Sequence, residues 1–503
     1  MKKFRPYHRA CDGILGPDED SEEAVRQKAD ETEDWRICRN CHDYINGSAD
    51  VMTRPVEGVA AVEQGPSHEG PATAILTAGL LFGDESKGAT VDWLASQTRA
   101  HTVVRYCGGP QAAHRVVLPD GRVHVFAQFG SGTFCGAQTH LSRHMLVDPL
   151  RLVSEAEVLI RVGVERPLSL VTIDERAPLV TPLHRIACQA RERARGKDRH
   201  GSCGMGIWEA TRFAREHYEQ APLARDLRNP VELFDKLLAL KLHLVEELRP
   251  LAGGSGALTY RELSGYDVTA LHARYRELDF QENTNLGRAS IVGRGFLSER
   301  MRRGTTIFEG SQGVLLDENL GFHPHTTGST TTFANAQQIL SESDFTGKVR
   351  RIGITRCYAT RHGPGPLPTE TSSRVVEAHN KEHMWAGDFR VGWLDLVLLR
   401  HALRLLGPVD ELAVSHLDQW SHFGKVAAAY EPGIGEDERY LCRYGAALRT
   451  VSGLSERYTR AAGRMRPMLV EVDRPVELIE DELGYPVTIT ADGPARSDRC
   501  ARR

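Results

Sequence analysis

From about residue 73 onward, short apolar runs repeatedly end in polar turns framed by glycine. Ala74-Ile75-Leu76-Thr77-Ala78-Gly79-Leu80-Leu81-Phe82 is apolar for long enough to make a buried strand. The turn Gly83-Asp84-Glu85-Ser86-Lys87-Gly88 follows, and Ala89-Thr90-Val91-Asp92-Trp93-Leu94 then has the spacing of an amphipathic helix. Residues 102–107 read as a strand entering Gly108-Gly109, and 122–126 alternate as a strand does. Residues 231–240 and 396–406 read as amphipathic helices. Strands separated by helices predict an α/β fold, with a large, mainly parallel central sheet flanked by helices. The interval 425–475 carries few motifs and is expected to decorate an edge.

Residues 1–72 break the pattern. They hold the acidic run Asp18-Glu19-Asp20-Ser21-Glu22-Glu23 and a polar linker from Gln64 to Pro71, so a polar, partly disordered segment is expected before a catalytic domain at 73–503. Within it, His8-x-x-Cys11 and Cys38-x-x-Cys41, with His42 adjacent, could close a structural Zn²⁺ site; a chance spacing of cysteines is the competing reading.

Composition narrows the class. At 503 residues and 41% hydrophobic content the chain can bury a large core. The 63 Lys and Arg nearly balance 67 Asp and Glu, which argues against a nucleic-acid partner. No apolar stretch follows Met1-Lys2-Lys3-Phe4-Arg5, so neither a signal peptide nor a membrane span is expected. Ten irregularly spaced cysteines fit a reducing cytoplasm.

Four turns carry candidate chemistry. Turn 83–88 would aim backbone N–H groups and a helix N-terminus at one spot, as a phosphate site does, with Lys87 adding a point charge. Asp84 and Glu85 are out of place in an anion site unless they hold a metal or move a proton. Gly108-Gly109-Pro110-Gln111-Ala112-Ala113-His114 ends in a histidine that a small-residue loop leaves free to reach a phosphate. His200-Gly201-Ser202-Cys203-Gly204-Met205-Gly206 has the make-up of an anion nest, or of an ordinary flexible loop. Phe308-Glu309-Gly310-Ser311-Gln312-Gly313 precedes a threonine run at 326–332, a hydroxyl cluster that suits a phosphate or a purine edge, although by composition alone an exposed threonine run is more often just a loop. A generic phosphate-loop kinase or GTPase is excluded by spacing, since no G-x-x-x-x-G-K-[ST] match occurs.

Taken in order, these motifs resemble the adenylosuccinate synthetases. Thr360-Arg361-His362-Gly363-Pro364-Gly365-Pro366-Leu367-Pro368-Thr369-Glu370, Gly392-Trp393-Leu394-Asp395, Leu417-Asp418 and Asp492-Gly493-Pro494 extend the match to about 73–498. The resemblance implies a phosphate-loop-NTPase-like fold and a Mg²⁺-dependent ligase. Such an enzyme joins L-aspartate to IMP with GTP as co-substrate, through a 6-phosphoryl intermediate. It makes Asp84 the base at purine N1 and a Mg²⁺ ligand, His114 the general acid, and Gln312 the group that binds purine O6. It places Gly83, Glu85, Ser86, Lys87, Gly88 and Gln111 at nucleotide, and Ser202, Cys203 and Thr327 around the nucleotide phosphate. Arg361 and Arg390 fall at nucleotide, and His416, Asp418, Gly493 and Pro494 at the donor base. The Ala113 carbonyl becomes a second Mg²⁺ ligand. A cytoplasmic homodimer is implied, with Arg212 or Arg215 reaching across it.

The chain departs from the family pattern at several places. Ser86 and Ala113 stand where glycine is usual, Gln111 for asparagine, Ser202-Cys203 for two threonines, and His416 for lysine. The aspartate loop, Met384-Trp385-Ala386-Gly387-Asp388-Phe389-Arg390-Val391, keeps a single arginine. Two other functions therefore compete. One is 2-aminoadenylosuccinate synthesis from dGMP with ATP or GTP. The other is a non-catalytic nucleotide-binding regulator, whose mark would be loss of Asp84, Lys87 or His114.

Overall fold

Ten strands make the main sheet of the computed structural model, which describes residues 4–8, 51–55, 70–278, 285–372, 385, 387–431 and 452–502. In chain order they are β1 (Thr73–Gly79), β2 (Thr102–Arg105), β3 (Gln138–Leu141), β4 (Val171–Asp174), β5 (Ser290–Val292), β6 (Thr305–Glu309), β7 (Lys348–Arg356), β8 (Glu411–Ser415), β9 (Val487–Ala491) and β10 (Arg499–Ala501). Their order across the sheet is β10-β9-β8-β7-β1-β6-β2-β3-β4-β5. Every pairing is parallel except β9 with β10 at one edge. The expected α/β fold is therefore the observed one.

Parallel strands covered on both faces read as continuous apolar runs, and the central strands do. Leu76, Val104 and Phe308 join one core cluster, while Ile75, Val103 and Ile307, one residue earlier on each strand, join another. Successive side chains thus enter cores on opposite faces of the sheet. Helix α1 (Lys87–Thr98) corrects the amphipathic expectation for 89–94. Every residue from Lys87 to Ala95 is buried, so this helix has no solvent face over its first nine residues. Pro230–Glu247 and Leu396–Leu406 are helices where the spacing placed them.

Lys425–Tyr430 and Pro467–Glu471 pair in a three-stranded sheet with Leu394–Asp395, apart from the main sheet. Phe4–His8 pairs antiparallel with Val51–Pro55. Of the zinc candidates, Cys11, Cys38, Cys41 and His42 lie outside the described residues. Among the described residues no helix is long and apolar enough to cross a membrane, and no group of three or more His, Cys, Asp or Glu is placed to hold a metal.

One consequence of the topology governs the site. The turns after β1, β2, β6, β7, β8 and β9 all leave the carboxyl ends of parallel strands, where open α/β sheets bind ligands.

Candidate active site

The turns are packed backbone against backbone. A Cβ added at Gly313 would lie 2.2 Å from the Leu81 carbonyl oxygen and 2.7 Å from the Gly83 nitrogen, so only glycine lets the fourth motif close on the first. Gly88, at the start of α1, is likewise held to glycine, because a Cβ there would sit 2.5 Å from His114 Cβ. Seven non-glycine residues adopt left-handed backbone among the described residues, and four belong here: Asp84, Ser86, Gln312 and His416. Such conformations cost about 1–3 kcal/mol each and persist where the surroundings impose them, commonly at functional sites.

Helix α1 begins at Lys87 after the left-handed Ser86, with no side-chain cap on its first amides. Those amides keep their donors for an anion. Lys87 and Glu85 are both buried, with Nζ 3.8 Å from Oε2. Glu85 Oε1 accepts from the Leu81 amide at 2.6 Å. Burial, opposed by Lys87, pushes the Glu85 carboxyl up to about 7. Asp84 differs, with its side chain 29% exposed and His362 Nε2 3.2 Å from Oδ2. Burial works to raise its pKa, but His362, Arg356 and Lys87 outweigh that and hold the carboxyl well below the usual range. Asp84 is thus an ionised, reachable acceptor.

His114 opens the strand His114–Val117, which pairs antiparallel with Val123–Phe126. Its Nδ1 lies 2.6 Å from Glu309 Oε1. Glu309 ends β6, directly opposite Arg105 on β2. Its oxygens also accept from the Ser131 hydroxyl at 2.5 Å and the Ser131 amide at 2.9 Å. Burial opposes the charge, yet His114, Arg105 and these hydrogen bonds hold the Glu309 carboxyl down at about 2. A buried carboxylate on Nδ1 fixes the imidazole's tautomer and orientation and leaves Nε2 for a reacting group. Sequence reading missed that role of Glu309, which depends on the pairing of β2 with β6.

Arg105 Nη2 donates to Ser311 Oγ at 3.1 Å, and the Gly108 amide donates to Ser329 Oγ at 2.8 Å. Gln111 and Gln312 lie in the same layer, and the side-chain oxygen of each is buried with no hydrogen-bond partner. Burying an unpaired amide oxygen costs on the order of 1–3 kcal/mol, a cost that a ligand donor would remove. The threonine run departs from the exposed-loop expectation. Ser329, Thr331 and Thr332 are buried, and Asp317 accepts from the Thr331 amide at 2.7 Å.

Turn 201–206 enters the ring through its ends. Its glycines 201, 204 and 206 are left-handed, and helix α2 (Ile207–Glu216) starts behind it with no side-chain cap. Ser202 Oγ lies 3.3 Å from Cys188 Sγ. The His200 carbonyl lies 3.1 Å from His325 Nδ1, which ties the turn to the loop carrying Thr327. Trp385 covers Gly204: a Cβ there would be 2.8 Å from the indole Cγ.

The donor-base candidates gather at β8 and β9. His416 follows β8 with Nδ1 2.9 Å from Ser415 Oγ and 3.5 Å from Ser86 Oγ, edge-on to Tyr358. Asp418 is exposed, with Gln419 Nε2 2.5 Å from its carboxylate. Gly493 and Pro494 follow β9, and the Pro494 carbonyl accepts from Arg499 at 3.4 Å. Arg361 and Arg390 are committed within the fold. Arg361 donates to the carbonyls of Pro364, Pro366 and His325, and Arg390 to those of Gly363 and Gly365 and to Glu370. Arg212 pairs with Glu209, Glu216 and Glu247, whereas Arg215 is 58% exposed and pairs with Glu318.

An uncapped helix start, an ionised carboxylate and a carboxylate-oriented histidine at the carboxyl edge of a parallel sheet are groups suited to a nucleotide-handling α/β enzyme. The adenylosuccinate synthetase family model matches residues 76–500. Adenylosuccinate synthetase of Chlorobium phaeobacteroides is 30% identical over 468 residues, covering 87% of this chain and all of that protein. Among solved structures, the fully ligated adenylosuccinate synthetase of Plasmodium falciparum superposes with a TM-score of 0.67 at 19% identity, over 86% of this chain and all of that one. The cyanophage S-2L succinoaminodeoxyadenylate synthetase, bound to dGMP and dATP, gives 0.51 at 16% identity over 86% and 96%. These two likenesses bear on the fold. The chain belongs to the adenylosuccinate synthetase family and is a ligase of that type.

Proposed function

We propose that the protein joins L-aspartate to C6 of IMP with GTP as phosphoryl donor, yielding adenylosuccinate, GDP and phosphate. The observation that carries this is that two acid–base groups meet turn 83–88: ionised Asp84 at its mouth, and His114, packed against Gly88 and oriented by Glu309. Asp84 takes the proton from purine N1, and O6 then attacks the γ-phosphorus as GDP leaves. The α1 amides, Lys87 and His114 stabilise charge on the transferring group, as phosphoryl transfer requires. The aspartate amine next adds at C6 and expels the phosphate, losing its proton. Gln312 binds O6; Ser202, Cys203 and Thr327 hold the nucleotide phosphate; His416, Asp418, Gly493 and Pro494 hold the guanine.

The donors fit Mg²⁺, which takes oxygen ligands and keeps waters and phosphate oxygens in its shell. Asp84 offers a carboxylate, and Ala113 is exposed and not left-handed, so alanine presents its carbonyl without strain. Bound there, Mg²⁺ would neutralise charge on the donor's phosphates. We further propose a cytoplasmic homodimer, in which the more exposed Arg215 is the arginine offered to the partner.

Purified protein with aspartate, Mg²⁺, GTP or ATP and each nucleotide, followed by purine ultraviolet absorbance, tests the reading. Turnover with IMP is expected. Turnover with dGMP and none with IMP would replace the substrate. Nucleotide binding without turnover on either would leave a regulator.

A further inference from the structure

Asp84 is the residue on which the proposed chemistry turns, and its own turn does not fix its side chain. Arg356, at the end of β7, donates from Nε to the Asp84 carbonyl and from Nη1 to Tyr358 Oη at 2.6 Å, so it grips the left-handed backbone. The carboxylate is met from a separate element. His362 closes the strand Ala359–His362 and brings Nε2 3.2 Å from Oδ2.

That strand is rigidly placed. It pairs residue for residue with Phe389–Gly392, and the His362 ring lies 4.9 Å from that of Phe389. The preceding Arg361 is buried and anchors three backbone carbonyls. His362 is therefore a donor on a stiff arm. Its side chain and that of Asp84 are 30% and 29% exposed, so a ligand can reach the pair. Among the described residues no hydrogen bond is made to Asp84 Oδ1. The bond to Oδ2 removes a rotation about the Cβ–Cγ axis and leaves Oδ1 to meet a substrate proton and the second lone pair of Oδ2 to meet a cation.

We infer that His362 is a positioning residue, holding Asp84 Oδ2 so that Oδ1 is presented to the purine. The inference rests on the function proposed above. The competing account is a partly exposed ion pair that adds only stability, of the kind worth about 0–1 kcal/mol. The two accounts differ in what they do to kcat, because a misplaced reacting group costs rate and not ground-state binding.

The test uses His362→Phe, which keeps a ring against Phe389 and removes the donor, and His362→Gln, whose amide nitrogen can replace Nε2. His362→Phe is expected to lower kcat about 10- to 100-fold with KM for IMP and GTP within about threefold, and His362→Gln to recover kcat to within about fivefold of the parent. Unchanged kcat in the Phe variant overturns the inference, as does a Gln variant no better than Phe. Retained GTP binding shows that each variant is folded. A second readout does not depend on turnover: histidine side-chain ¹⁵N resonances, with His362 assigned by its loss in the Gln variant. The parent should show Nε2 protonated and hydrogen-bonded, and Asp84→Ala should shift that signal. No shift overturns the inference even in an inactive protein. Inactivity of the parent with a clear shift overturns the function and leaves the contact standing.

Discussion

Turns 83–88 and 201–206 are built on one plan and filled differently. Each leads into a helix whose first residue follows a left-handed residue, and neither helix has a side-chain cap on its first amides. Both present free N–H donors to an anion. In the second turn glycines take the left-handed positions, between side chains that carry a hydroxyl, a thiol and a thioether. In the first, Asp84 and Ser86 are themselves left-handed, and three ionisable groups crowd the turn. Glycine adopts that backbone without strain, whereas aspartate and serine must be forced into it. Arg356 and the 310–313 turn supply that force in the first case. On the function proposed above, the second turn holds phosphate with uncharged groups, whereas the first also moves a proton.

The largest test of that contrast is Asp84→Ala. Turnover should fall by about 10³-fold or more while nucleotide affinity stays within a few fold, measured by steady-state kinetics and fluorescent-nucleotide titration. Full activity in this variant would collapse the distinction between the turns. Glu309→Gln comes next. It leaves His114 without its anionic partner, and kcat should drop by about 10²-fold with little change in KM.

A change in the second turn should read out differently. Gly204→Val puts a branched side chain at φ 70° and against Trp385. It should raise the nucleotide KM about tenfold and leave kcat within about threefold, because it disturbs holding and not chemistry. A kcat loss matching that of Asp84→Ala would show the turns to be equivalent.

The smallest effect concerns stability. The Glu85 carboxyl ionises at about 7 in the fold against an ordinary 4.5. Between those values the folded state binds the extra proton, so this group's contribution to stability falls as pH rises through the window. At full effect the loss is at most about 3 kcal/mol. In EDTA, the parent minus Glu85→Gln difference in unfolding free energy should decline from pH 5 to pH 7.5. A flat difference would mean Glu85 is ionised throughout.

Much of this was legible along the chain. The apolar run 74–82, the glycines that bound each turn and the order of the motifs all depend on neighbouring residues, and the structure has a strand and a turn at each. The amphipathic reading of 89–94 failed because a three- or four-residue period describes one face. It does not reveal that the turn 131–135, the hairpin 114–126 and the main sheet cover the remaining faces of α1. The threonine run read as exposed for a related reason. The run is held by Gly108, Gly313 and Asp317, the nearest of them fourteen residues from its partner, and no local pattern marks those contacts.

The chain by itself determined the class of fold and the family and singled out turn 83–88, since each is written in short windows of apolar period and turn chemistry. Tertiary structure alone decided which groups surround the acids. Parallel pairing of β2 with β6 sets Glu309 opposite Arg105 and, through His114, beside α1. The strand after β7 brings His362 to Asp84 across 278 residues of sequence. A carboxylate's charge and aim depend on which groups lie within a few ångströms, and only the closed sheet specifies those.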